Sequence, residues 1–373
     1  MSQAGRIPGP VDAALRAIDC KHLGPAHLLA VAALCAAAVY GGARAVLLVA
    51  ALAALEVCCS FDNAVVNATT LTKLGRRWQM LFMTVGVLVA AVGVRLGTPL
   101  FIVVVAAHTT PAAAFSAALH QPHEYAILLD RAQPGVAGFG GIFLALLFLE
   151  FVAEPRERAW VGWVERPVAR LAAIPFSDLL FTAFVAVAVT ALASPDVRLP
   201  ALAGIFTGLG CFLVIKFLGS LARRGAPADT VLTGYAGLSM FLYLELFDAS
   251  FSIDSVMGAF SVTFDIVVIM LGLGVGAAYI RGLTVSVARG GRLLELPYLV
   301  HGAYYAIGAL AVLLLLEIWW YVPDLATAGT AIAIITAAVW TSRRAMRSGK
   351  PVEHRQPVEP RAADQVAHAG PVE

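Results

Sequence analysis

Long apolar stretches, separated by short polar breaks, make up most of this chain. A stretch of about 17 to 25 apolar residues is long enough for a helix to cross a bilayer. The pattern therefore predicts ten membrane-spanning helices, at residues 26–41, 43–68, 78–106, 136–153, 176–193, 199–218, 230–259, 264–287, 297–321 and 325–342. Helices are expected instead of barrel strands, because the stretches lack the alternation of apolar and polar residues that barrel strands show.

The composition agrees with this pattern. Hydrophobic residues make up 60% of the chain and charged residues only 13%, whereas about 25% of the residues in an ordinary soluble domain are charged. The expected fold class is all-α, a transmembrane helical bundle.

The basic residues are distributed unevenly between the predicted loops. Lys and Arg collect in loops that stay in the cytoplasm. Placing the N-terminus inside puts most of them on the cytoplasmic side, namely Lys73, Arg76, Arg77, Arg156, Arg158, Arg166, Arg170, Arg223, Arg224, Arg289, Arg292, Arg343, Arg344, Arg347 and Lys350. We therefore expect a protein of the cell (inner) membrane with both termini in the cytoplasm. Because orientation explains the basic residues, no nucleic-acid partner is expected.

Two acidic stretches inside predicted spans resemble one another. The first contains Glu56, Ser60, Phe61, Asp62 and Asn63, and the second contains Asp248, Ser252, Ile253, Asp254 and Ser255. An ionised carboxylate within the hydrocarbon region is costly unless it faces a partner or a wet cavity. An acidic pair that occurs twice in this setting therefore predicts a functional site.

The two copies lie five spans apart, so they are expected to cross the membrane in opposite directions. In the span after each copy a glycine precedes an arginine by nine residues, Gly86 before Arg95 and Gly272 before Arg281. This predicts a five-plus-five inverted repeat, an arrangement in which secondary transporters bind ligand near the membrane midplane. The predicted units are a cytoplasmic segment 1–25, a first repeat 26–193, a second repeat 199–342 and a disordered cytoplasmic tail 343–373.

The spacing within the motifs predicts a polar stripe on each helix. Glu56, Ser60, Asn63 and Asn67 share one helix face, and Asp248, Ser252 and Ser255 repeat the first part of that face. Carboxylate, amide and hydroxyl oxygens are hard donors that suit Mn²⁺, Mg²⁺, Ca²⁺ or protons. The predicted ion-binding residues are Glu56, Asp62, Asn63, Asp248, Asp254 and Ser255, with Ser60, Asn67, Glu245 and Ser252 in support.

Three further polar residues have two interpretations each. Arg95 and Arg281 lie toward the far ends of their spans, which favours snorkelling to the interface over a role as counter-charge to the acids. His301 is either a proton relay near the site or a histidine at the membrane interface. A sulfur ligand from Cys58 is disfavoured, because Ser250 occupies the equivalent position in the second copy. No resident cofactor is expected.

The motifs resemble those of the TerC family of integral membrane proteins, part of the wider LysE-like transporter group, and most closely the branch described only as a domain of unknown function. The residues that carry the resemblance are Leu55, Glu56, Ser60, Phe61, Asp62, Asn63, Ala64, Glu245, Asp248, Phe251, Asp254 and Ser255. The resemblance implies metal-ion efflux, most often of Mn²⁺, an association with tellurium resistance, and in some relatives the supply of metal to exported proteins. TerC proteins usually have a helix-breaking proline two residues after the second Asp-Ser pair, where this chain has Met257.

The leading hypothesis is a secondary transporter that exports Mn²⁺ or a similar hard divalent cation in exchange for protons, and not an enzyme. One alternative is a membrane scaffold or accessory subunit in metal or tellurite stress, in which the acids are structural. A remote alternative is an intramembrane aspartyl protease. Its usual Tyr-Asp and Gly-x-Gly-Asp contexts are missing, since Phe61 precedes Asp62 and Ile253 precedes Asp254.

Overall fold

The computed structural model of the chain describes residues 23–106, 109–154, 159–172, 174–223, 231–290 and 296–348. Within these ranges the chain is helical. The helices are α1 Gly24–Cys59, α2 Phe61–Leu71, α3 Arg76–Met83, α4 Val85–Leu88, a π-helix Val89–Val94, α5 Arg95–Ala106, α6 Pro111–His120, α7 Pro122–Ala153, α8 Gly162–Ala172, α9 Ser177–Leu192, α10 Pro195–Arg223, α11 Gly234–Val262, α12 Ile266–Gly290, α13 Leu299–Glu317 and α14 Asp324–Ser348. Most of the predicted segments 1–25 and 343–373 lies outside the described residues.

Five helices of the described ranges are long and apolar enough to cross a membrane, and the chain is a helical membrane protein. They are Gly24–Cys59, Pro122–Ala153, Pro195–Ala222, Ile266–Ala288 and Leu299–Glu317, with the shorter apolar helix Ser177–Leu192 beside them. Many of their large apolar side chains point outward, as for Phe184 and Val312, which are 70% and 57% exposed. An apolar outer surface of this kind is the one a bilayer covers.

Helix α1 is interrupted where the sequence predicts a break between residues 41 and 43. Gly41 has φ −142° and ψ 18°, and Gly42 has φ 64° and ψ −154°. The second pair of angles is open essentially to glycine alone, since a Cβ atom would clash there. The two glycines therefore divide α1 into two helical segments.

Several helices differ from the predicted spans. Helix α7 begins at Pro122, well before the predicted start at residue 136. The prediction started too late because the first turns of the helix carry polar residues such as Glu124, Asp130 and Gln133, which the apolar pattern does not include. Helices α6 and α8 lie between predicted spans, where the apolar pattern predicted loops. Helix α11 runs without interruption through Met257, as expected when the helix-breaking proline is replaced.

The two helices with acidic motifs run in opposite directions. Leu74 and Leu232 form an isolated backbone bridge, in which the Leu232 amide donates to the Lys73 carbonyl at 2.8 Å and the Gly75 amide donates to the Leu232 carbonyl at 3.0 Å. The end of α2 and the start of α11 therefore lie at the same end of the bundle. From that end α11 leads away, whereas α2 leads toward it.

The second segment of α1 packs closely on α12. A Cβ atom at Gly276 would lie 2.5 Å from the Glu56 Cβ atom, and one at Gly272 would lie 2.6 Å from the Leu52 Cβ atom. Small residues spaced four apart allow two helices to approach in this way. The contact places Glu56 deep between α1 and α12, where its side chain is 2% exposed.

Candidate ion-binding site

A small buried cavity lies between the two acidic motifs. Its lining residues are Glu56, Ser60, Asn63, Arg95, Asp248, Phe251, Ser252, Ala277 and Ile280. We call it the deep cavity. Its volume is about 10 Å³, which is near the lower limit for one water molecule.

The predicted polar stripes face this cavity from both sides. Glu56, Ser60 and Asn63 come from the first motif, and Asp248 and Ser252 come from the second. At Ser60 the backbone leaves helical angles, with φ −103° and ψ 13°, but the Ser60 amide still donates to the Glu56 carbonyl at 3.0 Å. The stripe therefore continues from α1 into α2. The two motifs meet directly where Asn63 Nδ2 donates to Asp248 Oδ1 at 2.9 Å.

Arg95 neutralises the carboxylate of the first motif. One guanidinium nitrogen, Nη2, forms an ion pair with Glu56 Oε1, and Nη1 donates to the Ala90 carbonyl at 3.0 Å. Ala90 belongs to the π-helix that precedes Arg95. Such π-turns are uncommon and occur often at functional sites. Ser60 Oγ donates to the same Glu56 oxygen at 3.1 Å.

Arg281 plays the corresponding part in the second motif. Its Nη1 and Nη2 atoms donate to Glu245 Oε1 at 2.8 Å and Oε2 at 2.9 Å, and Nη2 also donates to Asp248 Oδ2 at 2.8 Å. The Phe82 carbonyl accepts from Nη1 at 3.1 Å, and the guanidinium lies 4.2 Å from the centre of the Phe82 ring. A lysine could not replace Arg281 here, because only the planar guanidinium group can hold two carboxylates and stack on a ring at the same time.

The snorkelling interpretation of the two arginines is wrong. The Arg95 side chain is 4% exposed and the Arg281 side chain is 1% exposed. Each forms an ion pair with an acid of its own half of the chain. Both are therefore buried counter-charges. Burial of a charge in this way is sustained only when the partner charges and hydrogen bonds are in place.

Several oxygens that line the deep cavity have no partner within the described part of the chain. They are Glu56 Oε2, Asn63 Oδ1 and Ser252 Oγ, all buried. Buried polar atoms in native proteins nearly always have a hydrogen-bond or metal partner. These atoms are therefore the candidate contacts for a polar ligand in the deep cavity.

Asp62, Asn67 and Ser255 are predicted site residues that are not among the lining residues of the deep cavity. Asp62 is 1% exposed, and its Oδ1 accepts the Asn63 amide at 2.8 Å, while Oδ2 is without a partner among the described residues. Asn67, one turn further along α2, is also buried and makes no side-chain hydrogen bond there. Ser255 is buried on α11.

Two predicted residues need separate mention. The Asp254 side chain lies outside the described residues, so the predicted meeting of Asp62 and Asp254 stays a prediction. His301 is buried but is not among the lining residues. It packs against the rings of Phe151 and Tyr298, with centroid distances of 5.4 and 6.2 Å.

Within the described ranges, no group of three or more His, Cys, Asp or Glu side chains is arranged to hold a metal ion. The donors of the deep cavity are two carboxylates, two hydroxyls and one amide, contributed by Glu56, Asp248, Ser60, Ser252 and Asn63. Each of these groups can offer an oxygen atom as a ligand to a metal ion. Oxygen ligands of this kind suit a hard cation.

Some members of the site carry no signal in the sequence. The carbonyls of Phe82 and Ala90 hold the arginines, but backbone groups have no sequence signature. Gly86 also belongs to the site, since a Cβ atom there would collide with Arg281 Nη1 and Glu245 Oε1. The repeated Gly-to-Arg spacing was the only hint that this glycine belongs to the site.

The family comparison covers most of this architecture. A family model described as "Protein of unknown function (DUF475)" matches residues 61–348, from the start of α2 to the end of α14. The match includes Asp62 and Asn63 and the whole second motif, and it begins just after Glu56 and Ser60. No curated protein and no solved structure matches the chain.

Proposed function

We propose that the chain, which belongs to the family described as protein of unknown function (DUF475), is a secondary transporter that exports a hard divalent metal ion through the deep cavity. The observation that carries the proposal is the convergence of oxygen donors from two oppositely running helices on one buried cavity. Three of these oxygens, Glu56 Oε2, Asn63 Oδ1 and Ser252 Oγ, are left without partners among the described residues.

The charges at the cavity fit a transported ion. Glu56 Oε1 is held by Arg95, and Asp248 Oδ2 is held by Arg281. A divalent ion would take the open oxygens and compete with the guanidinium groups for the carboxylates. Because the counter-charges are built into the protein, the site need not keep an ion bound to stay folded. A site that both binds and releases is what transport requires.

The proposed architecture is a five-plus-five inverted repeat of ten spans, with both termini in the cytoplasm of the inner membrane. Support comes from the opposite directions of α2 and α11 and from the matching ion pairs, Glu56 with Arg95 and Asp248 with Arg281. Helix α11 supports it as well, since at 29 residues it is long enough to span the membrane.

Mn²⁺ is the proposed substrate ion, and inward proton flow is the proposed driving force. Oxygen donors favour Mn²⁺, Mg²⁺ and Ca²⁺ over softer metals. The resemblance of the two motifs to those of the TerC family singles out Mn²⁺ among these, as well as export. Carboxylates that exchange guanidinium, proton and metal partners would couple the two flows.

Transport by the purified protein in liposomes tests the proposal. We expect ⁵⁴Mn²⁺ movement that depends on a pH gradient and that Glu56→Gln abolishes, because the substitution removes the charge that the ion needs. Ser252→Ala removes one open oxygen and touches no ion pair, so we expect the KM for Mn²⁺ to rise about tenfold, as for loss of a supporting group in other metal sites.

Ser239→Ala is the matched control, since Ser239 is buried on the same helix but donates to the Tyr235 carbonyl, away from the cavity. It should leave the KM for Mn²⁺ unchanged.

Cellular Mn²⁺, Ca²⁺, Mg²⁺ and Zn²⁺ measured with and without the chain would identify the ion. Absence of pH-dependent flux of any of these ions through the wild-type protein would refute the transporter assignment and return the acids to a structural role.

A further inference from the structure

Two more cavities continue from the deep cavity toward one end of the bundle. The intermediate cavity is lined by residues that include Val136, Gly140, Ser250, Phe251 and Leu314, and its volume is about 10 Å³. The vestibule is far larger, about 350 Å³, and residues that line it include Asp130, Gln133, Val136, Gly258 and Glu317. The vestibule lies at the end of the bundle where α7 begins and where α11 and α13 end.

Each pair of neighbouring cavities shares one lining residue among the described residues. Phe251 lines both the deep and the intermediate cavity. Val136 lines both the intermediate cavity and the vestibule. The cavities therefore form a series with one shared wall at each junction.

Three helices follow this series in consistent order. On α13, Leu310 and Leu314 line the intermediate cavity and Glu317 lines the vestibule, at helical spacings of four and three residues. On α7, which runs the other way, Gly140 lines the intermediate cavity and Gln133 the vestibule. Helix α11 contributes Phe251 first and Gly258 two turns later. Matching faces on three helices indicate one continuous path.

Resting on the proposed function, we infer that the ion passes between the deep cavity and the vestibule through this series, and that Phe251 and Val136 form its gate. The intermediate cavity is lined mostly by apolar groups, and small apolar cavities stay dry. A dry constriction blocks ions until its side chains move apart. In the described conformation the gate is closed.

The charge of the vestibule fits its place at the mouth of the path. Asp130 and Glu317 both line it, and Glu317 is the last residue of α13, where the helix dipole adds partial negative charge. A cleft lined by one sign of charge concentrates ions of the opposite sign. Acidic residues in this position fit the outer end of a cation path.

Cysteine modification tests the path. In a protein whose five native cysteines are replaced, Val136→Cys puts a thiol at the gate, and Val312→Cys puts one on the exposed outer face of α13. A positively charged methanethiosulfonate reagent, applied to both sides of liposomes, should reduce ⁵⁴Mn²⁺ transport by Val136→Cys at least about tenfold, since it fills a narrow constriction. Transport by Val312→Cys should not change.

A second variant opens the gate. Phe251→Ala removes the ring between the deep and intermediate cavities, so we expect passive Mn²⁺ leak through the protein to rise about tenfold without a pH gradient. Phe247→Ala is the matched control, because Phe247 packs against Phe251 with ring centres 4.8 Å apart but lines none of the three cavities. Its leak should stay at the wild-type level.

The outcomes separate the two proposals. If the wild-type protein transports no ion, the proposed function fails. If the wild type transports Mn²⁺ but modified Val136→Cys transports as well as unmodified protein, the path is wrong while the function stands. Equal leak through Phe251→Ala and Phe247→Ala would likewise remove Phe251 from the gate.

Discussion

The two buried arginines are the residues on which the geometry of the site depends. Each reaches from a helix later in the chain to acids near a motif: Arg95, the first residue of α5, to Glu56, and Arg281 of α12 to Glu245 and Asp248. Without them the buried acids would lose their counter-charges, which is costly in this setting. The arginines also fix which carboxylate oxygens stay open, since Glu56 Oε1 is occupied and Oε2 is not.

Arg281→Gln should therefore destabilise the protein severely. The substitution leaves Glu245 and Asp248 without their counter-charge, and breaking a buried ion pair costs about 3 to 5 kcal/mol. The measurement is the free energy of unfolding of purified protein in detergent, followed by tryptophan fluorescence.

Lys216→Gln provides the comparison for Arg281→Gln. Lys216 pairs with Asp178 at 2.9 Å but is 42% exposed, so its loss should cost less than about 1 kcal/mol. Equal losses for the two variants would contradict the counter-charge role of Arg281.

At this scale the sequence predicted the polar stripes but not the ion pairs. Glu56, Ser60 and Asn63 could be placed on one face, because helical spacing alone decides which residues are neighbours. The direction in which a long arginine side chain extends depends on which helices pack around it. The Gly-to-Arg repeat marked Arg95 and Arg281 correctly, but their distance from the span centres favoured the wrong interpretation.

Among the helices, the contact of α1 with α12 positions the site. Gly272 and Gly276 form the flat surface on which Leu52 and Glu56 rest. A larger residue at Gly276 would push the Glu56 carbon chain away from the cavity. The glycine thus controls where the first carboxylate lies.

We expect Gly276→Ala to lower the free energy of unfolding by about 1 to 3 kcal/mol, the range for overpacking a tight contact, and to reduce transport. The new Cβ atom would stand 2.5 Å from Glu56. Gly210→Ala is the control, because a Cβ atom there meets nothing within 4 Å. Gly210→Ala should be neutral or stabilise α10 by up to about 1 kcal/mol. A stabilising Gly276→Ala would rule out the close contact.

Element boundaries were predicted at the glycine break and for Ser177–Leu192, and missed where polar helices extend beyond the apolar core. The predicted spans 43–68 and 78–106 were also wrong as single helices, because the structure divides the first at Ser60 and the second at Thr84 and at the π-helix Val89–Val94. The break at Gly41 and Gly42 and the helix from Ser177 to Leu192 follow from the apolar pattern. Helices α6 and α8 and the first turns of α7 carry polar or small residues. Their helical state comes from packing on neighbouring helices, which a single sequence does not reveal.

For the molecule as a whole, the backbone bridge between Leu74 and Leu232 and the vestibule lie at opposite ends. Tyr321 lines the vestibule and is 75% exposed, whereas Val231 is 60% exposed beside the bridge. Each end of the bundle is therefore marked by accessible residues.

Single cysteines at these positions should report two faces of the membrane. We expect a membrane-impermeant thiol reagent to label Lys73→Cys and Val231→Cys from the same side, the cytoplasmic one, and Tyr321→Cys from the other. Right-side-out and inverted vesicles distinguish the sides. Labelling of Lys73→Cys and Val231→Cys from opposite sides would be incompatible with the bridge and with the opposed motif helices.

The pairing of Arg95 and Arg281 with acids also bears on membrane voltage. A lone charge that moves across the membrane field exchanges about 2.3 kcal/mol per 100 mV with it. Glu56 and Arg95 cancel and contribute almost none of this work, whereas Arg281 balances only one of its two carboxylates, Glu245 and Asp248, and leaves one negative charge at the second motif. If this second group of charges moves through the membrane field, a resting membrane potential would act on the return of the unloaded carrier as well as on the steps in which metal and protons move.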